Sequence, residues 1–219
     1  MFHLFASKRP LTAHLADGVD RHCHILPGVD DGVPTMEAAQ EVIREMQRVG
    51  IRGAYCTPHI MRRFPNTPST LRARFEQLAE LATGLGFALR LAAEYMIDET
   101  FDATLRADEP LTWDGRYLLV ELPQYMLPPG WMDSIALVKD LGYTPVLAHP
   151  ERYGRLFSVE DLEELAHEGI LFQGNIGSLS GYYDRHAQTL ARKLQKKNLY
   201  SFWGTDTHSL GMLRQVLQL

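Results

Sequence analysis

Two cysteines, Cys23 and Cys56, are all that the 219 residues contain, so no disulfide framework holds the chain together. Reduced thiols are the simplest reading and point to the cytoplasm. No apolar run approaches the roughly 18 residues that a membrane helix needs, so no membrane insertion is expected. The first residues mix Phe2, Leu4 and Phe5 with Lys8 and Arg9. That apolar stretch is too short for a secretory signal, and residues 1–17 are expected to form an arm or helical turn packed on the rest. Positive charge is scarce as well: 22 Lys and Arg against 27 Asp and Glu give a net charge of −5. Proteins that grip a phosphate backbone carry a basic stripe, and here Arg62 and Arg63 are only a pair, so nucleic acid is not an expected partner. No repeat, linker or low-complexity stretch interrupts the chain. With 45% hydrophobic residues, 18–219 can bury one substantial core and read as one domain. The sequence leaves self-association into a homo-oligomer open.

What is present is an alternation of short apolar runs with longer amphipathic ones. Residues 18–23, 52–57, 87–93, 116–122, 144–148, 170–173 and 199–203 read as strands. Residues 35–49, 69–83, 98–107, 129–141, 158–168 and 186–197 read as helices. In the first of these, Met36, Ala39, Val42, Ile43, Met46 and Val49 recur at helical spacing, and Gly50 follows as a stop. Ser158 and Asp161 form the pattern of a capping box. Seven strand-then-helix units with short connections predict a parallel sheet with right-handed crossovers. At this length, closure into a small TIM-like (β/α) barrel is favoured over an open sheet.

The histidines fall where such a barrel places its chemistry. His22 and His24 stand two apart at the end of the first strand, and a side-chain period of two puts them on one face. Asp31 follows in the next loop. His59 follows the second strand, Glu94 ends the third, Glu121 the fourth and His149 the fifth. Asp206 and His208, again two apart, follow the seventh. In a parallel barrel all of these lie at the C-terminal face. Five imidazoles and four carboxylates converging there would be costly unless something positive held them, and mixed imidazole and carboxylate ligation suits zinc, iron or manganese. A lone His or Glu at a strand end is ordinarily a satisfied polar group; it is the whole set on one face that argues for metal. His3, His14, His167 and His186 fall in helices or tails and read as surface residues.

Cys56 and Arg62 stand in the Cys-x5-Arg spacing of cysteine-dependent tyrosine phosphatases. That chemistry needs a loop of backbone N–H groups around the phosphate and a thiolate of lowered pKa. The intervening residues, Thr57 to Met61, include no glycine, and Pro58 removes one donor. The spacing is read as chance, with Cys56 as a buried strand residue. Cys23 alternates away from the two histidines. Tyr182 and Tyr183, after Gly181, are either a packed loop or a substrate contact.

The runs Val19-Asp20-Arg21-His22-Cys23-His24-Ile25-Leu26-Pro27-Gly28-Val29-Asp30-Asp31-Gly32, Thr57-Pro58-His59-Ile60, Ala93-Glu94-Tyr95, Val120-Glu121-Leu122, His149-Pro150-Glu151-Arg152-Tyr153 and Gly204-Thr205-Asp206-Thr207-His208 resemble, in this order, the PHP (polymerase and histidinol phosphatase) superfamily. Within it the chain looks like the bacterial tyrosine phosphatases of capsule and exopolysaccharide operons, the CpsB and YwqE type. The resemblance implies a distorted seven-stranded barrel with three divalent metal ions, with manganese the first expectation and iron or zinc the others. It assigns His22, His24, Glu94 and Asp206 to one ion. Glu94 bridges to a second ion held with Glu121 and His149, while Asp31, His59 and His208 hold the third. Two positions depart from the family's pattern. Arg21 stands where an apolar residue is usual, and the arginine expected soon after the last histidine comes late, as Arg214.

The chemistry implied is hydrolysis of a phosphate monoester. Metals neutralise the dianion and lower the pKa of water towards about 7. Arg152 is the candidate for a fork-like grip on the phosphoryl oxygens, the alternative being a surface ion pair with Glu151 or Asp161. Glu94 is expected to be catalytic through its bridging role, His59 could supply acid assistance, and Arg214 is the candidate for a second phosphate contact. The expected substrate is phosphotyrosine on a partner protein, such as the tyrosine kinase that controls polysaccharide export. A small-molecule phosphatase acting on histidinol phosphate and a regulatory protein that binds metal without turnover are the alternatives.

Overall fold

A computed structural model describes residues 10–219. The expected arm therefore lies outside the described residues as far as residue 9. From Leu11, two short 3-10 turns (Leu11–His14 and Ala16–Gly18) lead into the first strand, and Leu15 is buried in the core.

The strands are β1 (Val19–Cys23), β2 (Gly53–Cys56), β3 (His59–Ile60), β4 (Ala88–Leu91), β5 (Glu94–Met96), β6 (Tyr117–Glu121), β7 (Thr144–Ala148), β8 (Leu171–Asn175) and β9 (Tyr200–Gly204). The α-helices are α1 (Met36–Arg48), α2 (Pro68–Gly84), α3 (Phe101–Ala107), α4 (Trp131–Asp140), α5 (Val159–His167), α6 (Ile176–Ser180), α7 (Arg185–Lys196) and α8 (Leu210–Leu217). All strand pairings are parallel, in the orders β1-β2-β4 and β3-β5-β6-β7-β8-β9. Two of the seven expected strands are broken in their course. The second breaks at Thr57-Pro58, where Pro58 has no N–H to give to a ladder, and the third breaks at Ala92-Ala93. This re-aims the chain so that His59 and Glu94 begin new strands, paired in register with one another, instead of trailing old ones.

The barrel closes between β1 and the end of β9 through few bonds. Asp206 N–H donates to the His22 carbonyl at 2.7 Å, and His24 N–H donates to the Thr207 carbonyl at 2.8 Å. Asp20 reinforces this seam. Its buried carboxylate accepts from the backbone N–H of Thr205 at 2.9 Å and from the Thr205 hydroxyl. Gly204 lets the two strands approach: a Cβ there would lie 2.5 Å from the Cβ of His22.

Alternation along the strands sorts the core into two parts. Leu118, Val120 and Leu147 face the helices, whereas Leu119, Val146 and Ala148 join Tyr55 and Trp113 in a plug inside the barrel. Phe202 packs on that plug, and Arg21 lies over its ring at 5.5 Å. The charge at this departure from the family's pattern is thus met by an aromatic face. The capping box of Ser158 with Asp161 forms as the sequence predicts. The short α6 and the last helix, α8, were not foreseen.

Candidate metal centre

The plug ends below the C-terminal rim, and the next inward positions are polar. Glu121 lies two residues beyond Leu119, and Gln173 two beyond Leu171, so the same alternation that fills the barrel with hydrocarbon aims them into its mouth. The result is a cleft of about 320 Å³ lined by Asp31, His59, Glu94, Glu121, His149, Arg152, Asp206 and His208. His22 and His24 form its fully buried floor.

Four donors converge on that floor. The Nε2 atoms of His22 and His24 are 3.1 Å apart. Glu94 Oε2 lies 3.2 and 3.3 Å from them, and Asp206 Oδ1 lies 3.4 Å from both. Edges of this length belong to a tetrahedron whose corners are about 2.0 Å from its centre, an ordinary metal–ligand distance. A second group forms around Glu94 and Glu121. His149 Nε2 is 2.9 Å from Glu94 Oε1, and His59 Nδ1 is 2.9 Å from Glu121 Oε1 and 3.2 Å from Glu94 Oε2. His59 Nδ1, Glu94 Oε2 and Glu121 Oε1 are buried and make no properly directed hydrogen bond despite this closeness. Buried polar atoms left so are rare and call for an explanation; lone pairs aimed at a common point fit a cation. In the third group, Asp31 Oδ1 lies 3.5 Å from the Nε2 atoms of both His59 and His208, at the open side.

The nine residues singled out in the sequence are therefore brought together. His59 has carboxylates near both ring nitrogens, Asp31 by Nε2 and Glu94 and Glu121 by Nδ1. Two of the nine, His149 (φ 35°) and Asp206 (φ 54°), sit in the left-handed region that non-glycine residues seldom enter. Such strain gathers at functional sites.

Arg152 does not pair with Glu151 or Asp161. Its Nη1 donates to Asp206 Oδ2 at 3.2 Å, and its guanidinium lies 4.8 Å from the centre of the Tyr183 ring. Burial works against its charge, but Asp206, Tyr183, Tyr153 and Glu94 together outweigh that and raise its pKa above the ordinary arginine range. Asp206 is held well below the usual carboxylate range. Burial opposes ionisation there, yet His22, His24, His208 and Arg152 together prevail. His208 shifts the other way, down to about 4, through burial and the charge of His24, so it is neutral at pH 7.

Arg214 is not brought to the cleft. It lies on α8 and donates through Nε to Glu45 Oε1 on α1 at 2.9 Å, so its reading as a phosphate contact is corrected. The helix started by Ser209 carries its side chain to the outer layer. Arg63, dismissed in the sequence as half of a weak basic pair, lines the cleft with Phe64 beneath it. Arg62 turns away to Glu99, and Cys56 is fully buried in the core, so the Cys-x5-Arg spacing has no geometry behind it.

Sequence reasoning also missed the residues that orient the donors. Asp30, whose side chain is only 1% exposed, accepts from His24 Nδ1 at 2.9 Å and from His59 N–H at 3.0 Å. Gln173 Oε1 meets His22 Nδ1 at 2.7 Å. Asn175 and the Tyr183 hydroxyl both donate to Asp206 Oδ2. Fixing the outer nitrogen of a ligating histidine sets its tautomer and aim. In the His149 to Tyr153 run, Glu151 is a buried anchor that accepts from Asn175 N–H, Ser178 and Tyr200, and the Tyr153 hydroxyl receives the N–H of Leu122.

This constellation has known counterparts. The family model described as capsular polysaccharide synthesis, CpsB/CapC, matches residues 18–215. The chain belongs to the CpsB/CapC family. A putative tyrosine-protein phosphatase CapC of Staphylococcus aureus is 30% identical over 207 residues, covering 90% of this chain and 81% of that protein. The tyrosine-protein phosphatase YwqE of Bacillus subtilis is 29% identical over 197 residues, covering 88% and 78%. A crystal structure from the work on YwqE and on CpsB of Streptococcus pneumoniae, described as unique metal-dependent tyrosine phosphatases, superposes with a TM-score of 0.81 at 27% identity, covering 91% of this chain and 85% of that one. An organophosphorus hydrolase mutant from Deinococcus radiodurans shares the fold alone, with a TM-score of 0.51 at 12% identity and coverage of 87% and 75%. Among the described residues, only this cleft combines all of these donors with a half-buried arginine.

Proposed function

We propose that this CpsB/CapC member is a metal-dependent phosphatase that hydrolyses phosphotyrosine on a partner protein, the tyrosine kinase of polysaccharide export being the foremost candidate. The observation that carries the hydrolytic reading is the set of orphaned buried donors, His59 Nδ1, Glu94 Oε2 and Glu121 Oε1, beside Arg152. The relatives' activity supports tyrosine as the phosphorylated residue. The proposed assignment holds three divalent cations, with manganese as the working metal. His22, His24, Glu94 and Asp206 would hold the first, Glu94, Glu121 and His149 the second, and Asp31, His59 and His208 the third, with His59 also near Glu94 and Glu121. Two buried free thiols accord with a cytoplasmic setting. Among the described residues no helix is long and apolar enough to cross a membrane.

When bound, such cations supply charge neutralisation and a water of lowered pKa. The chain's own residues do the rest. Arg152 is held by Asp206 on one nitrogen and can present the others of its fork to phosphoryl oxygens. Arg63 guards the mouth as a second positive charge. Tyr183, its pKa raised by burial and by Asp206, stays protonated and keeps Asp206 in place. A phenol leaves with a pKa of about 10, so little acid assistance is needed.

The test is phosphate release from a phosphotyrosine peptide and from histidinol phosphate, each with manganese and with chelator. Manganese-dependent release from the peptide, exceeding that from histidinol phosphate, is expected. Release from histidinol phosphate alone would move the assignment to a small-molecule enzyme, and release unaffected by chelator would end the metal-dependent reading.

A further inference from the structure

The metal cleft is not closed on the side of Arg152. Gln124 and Arg152 line it and also a second cavity of about 290 Å³ that includes Tyr125, Arg155 and Asp184. Gly154 and His186 line that cavity and also a third, of about 590 Å³, between α5 and α7. The shared residues set the three side by side, as a segmented trench that leads away from the reacting centre. Its far end has an apolar floor of Phe157, Val159 and Leu190 and a rim of Lys193, Lys196 and Lys197.

At the boundary of the second and third cavities His186 packs directly on Gly154: its Nε2 lies 3.1 Å from the Gly154 carbonyl, and a Cβ at Gly154 would lie 2.4 Å from that nitrogen, so only glycine admits the ring there. The charges along it are unequal. Lys197 is answered by Glu163 at 2.7 Å, and Glu160 and Asp184 line the walls. Lys193, Lys196 and Arg155 have no carboxylate within 4.0 Å among the described residues. In a protein of net charge −5, a positive trench that adjoins the proposed catalytic cleft is a local exception.

We infer that this trench is a specificity site for the polypeptide on which the phosphotyrosine is carried, and that it selects substrates with Asp or Glu residues and an apolar side chain on one flank of that tyrosine. The inference rests on the phosphotyrosine reading and deepens it. The trench begins beside the cleft, at Gln124 and Arg152, and its charge complements an acidic chain, which makes the occupant the substrate chain itself. The lysine rim makes its flank acidic, and Phe157, Val159 and Leu190 receive an apolar side chain. Exposed charges of this kind act within about 8 Å at physiological salt and fade as salt rises.

The experiment compares three phosphotyrosine peptides, with acidic, neutral and basic flanks, against para-nitrophenyl phosphate, which is too small to reach the trench. Wild-type protein loaded with manganese is set beside the surface variant Lys193→Glu/Lys196→Glu. For wild type, kcat/KM should be on the order of tenfold higher for the acidic than for the basic flank, a ratio that shrinks in high salt. The double variant should lose or reverse that ratio and keep its rate on para-nitrophenyl phosphate, which also shows that it folds. Equal turnover of all three peptides by wild type overturns the trench and leaves the phosphatase standing. An unchanged ratio in the variant does the same. No release from any peptide overturns both.

Discussion

Arg152 donates to the outer oxygen of Asp206 while the inner oxygen of the same carboxylate faces His22 and His24, so the proposed phosphate grip and the proposed first metal site share one side chain. Arg152→Ala should therefore act chiefly on substrate. Asn175 and Tyr183 still hold Asp206 Oδ2, so metal content should stay near wild type. A charged hydrogen bond is worth about 1.5–3 kcal/mol, which predicts a fall in kcat/KM on the order of 10- to 100-fold. Elemental analysis beside steady-state kinetics decides it: loss of metal in step with activity would make Arg152 a structural prop.

Glu94→Gln should behave in the opposite way. Its two oxygens reach separate groups of donors, one towards His22, His24 and His59 and the other towards His149. An amide keeps the shape but loses the charge that lets two cations lie close together. Metal and turnover should fall together. As a control, Cys56→Ser should retain most of the rate, because that thiol is buried away from the cleft.

Asp30 and Asp31 are adjacent in sequence and differ in role. Asp30→Ala removes the partner of His24 Nδ1, and outer partners of ligating histidines typically contribute 10- to 100-fold in metal affinity. Asp31, 44% exposed, should affect only the outermost cation. Competition with a fluorescent chelator would rank the two variants, and a larger loss of total metal in the Asp31 variant would reverse the assignment.

Proton release should accompany metal binding. Burial alone would lower the pKa of His22, but Glu94 and Asp206 outweigh it and lift it to about 9 in the metal-free site. Below that value His22 carries a proton that must leave before Nε2 can bind a cation. Manganese affinity should thus rise from pH 7 towards 9 and level off above. Calorimetry in buffers of different ionisation enthalpy should find at least one proton released per first cation. Flat affinity over that range would count against the assignment.

The Arg214 correction has its own test. Hydrogen bonds from Arg48 and Arg214 lower the Glu45 carboxyl to about 2. A depressed carboxyl pKa contributes stability that is present above its unfolded value, near 4.5, and is lost as pH falls towards 2. Arg214→Ala should lower Tm at pH 7, lower it less at pH 3, and leave kcat/KM unchanged. A large loss of activity at unchanged Tm would return Arg214 to the substrate.

Legibility from sequence followed periodicity. A period of two placed His22 with His24 and Asp206 with His208, and the strand-end rule gathered the rest at one rim. The break at Ala92-Ala93 was not legible, because the apolar run continues through it, whereas Pro58 marks the end of the second strand but not the start of a new one at His59. Asp30 was hidden because nothing in a loop tells which of two neighbouring aspartates turns inward. There Gly32 decides, packing so close on His24 that a Cβ would lie 2.1 Å from its carbonyl oxygen. Arg214 misled because spacing after the last histidine says nothing about which face of α8 a side chain takes.

The seam at which β1 meets the end of β9 is made by the backbone of His22, His24, Asp206 and Thr207, and the first three of these also bring their side chains to the first donor group. That ties the order of synthesis to the order of assembly. A nascent chain carries His22 and His24 long before Asp206, and the group they belong to stays open until Asp206 emerges, more than 180 residues later. Until then the barrel lacks both its last stave and its first complete cluster. Completion of the proposed first metal site and circular closure of the barrel are, in this architecture, a single late event, and any premature stop before residue 206 forfeits both.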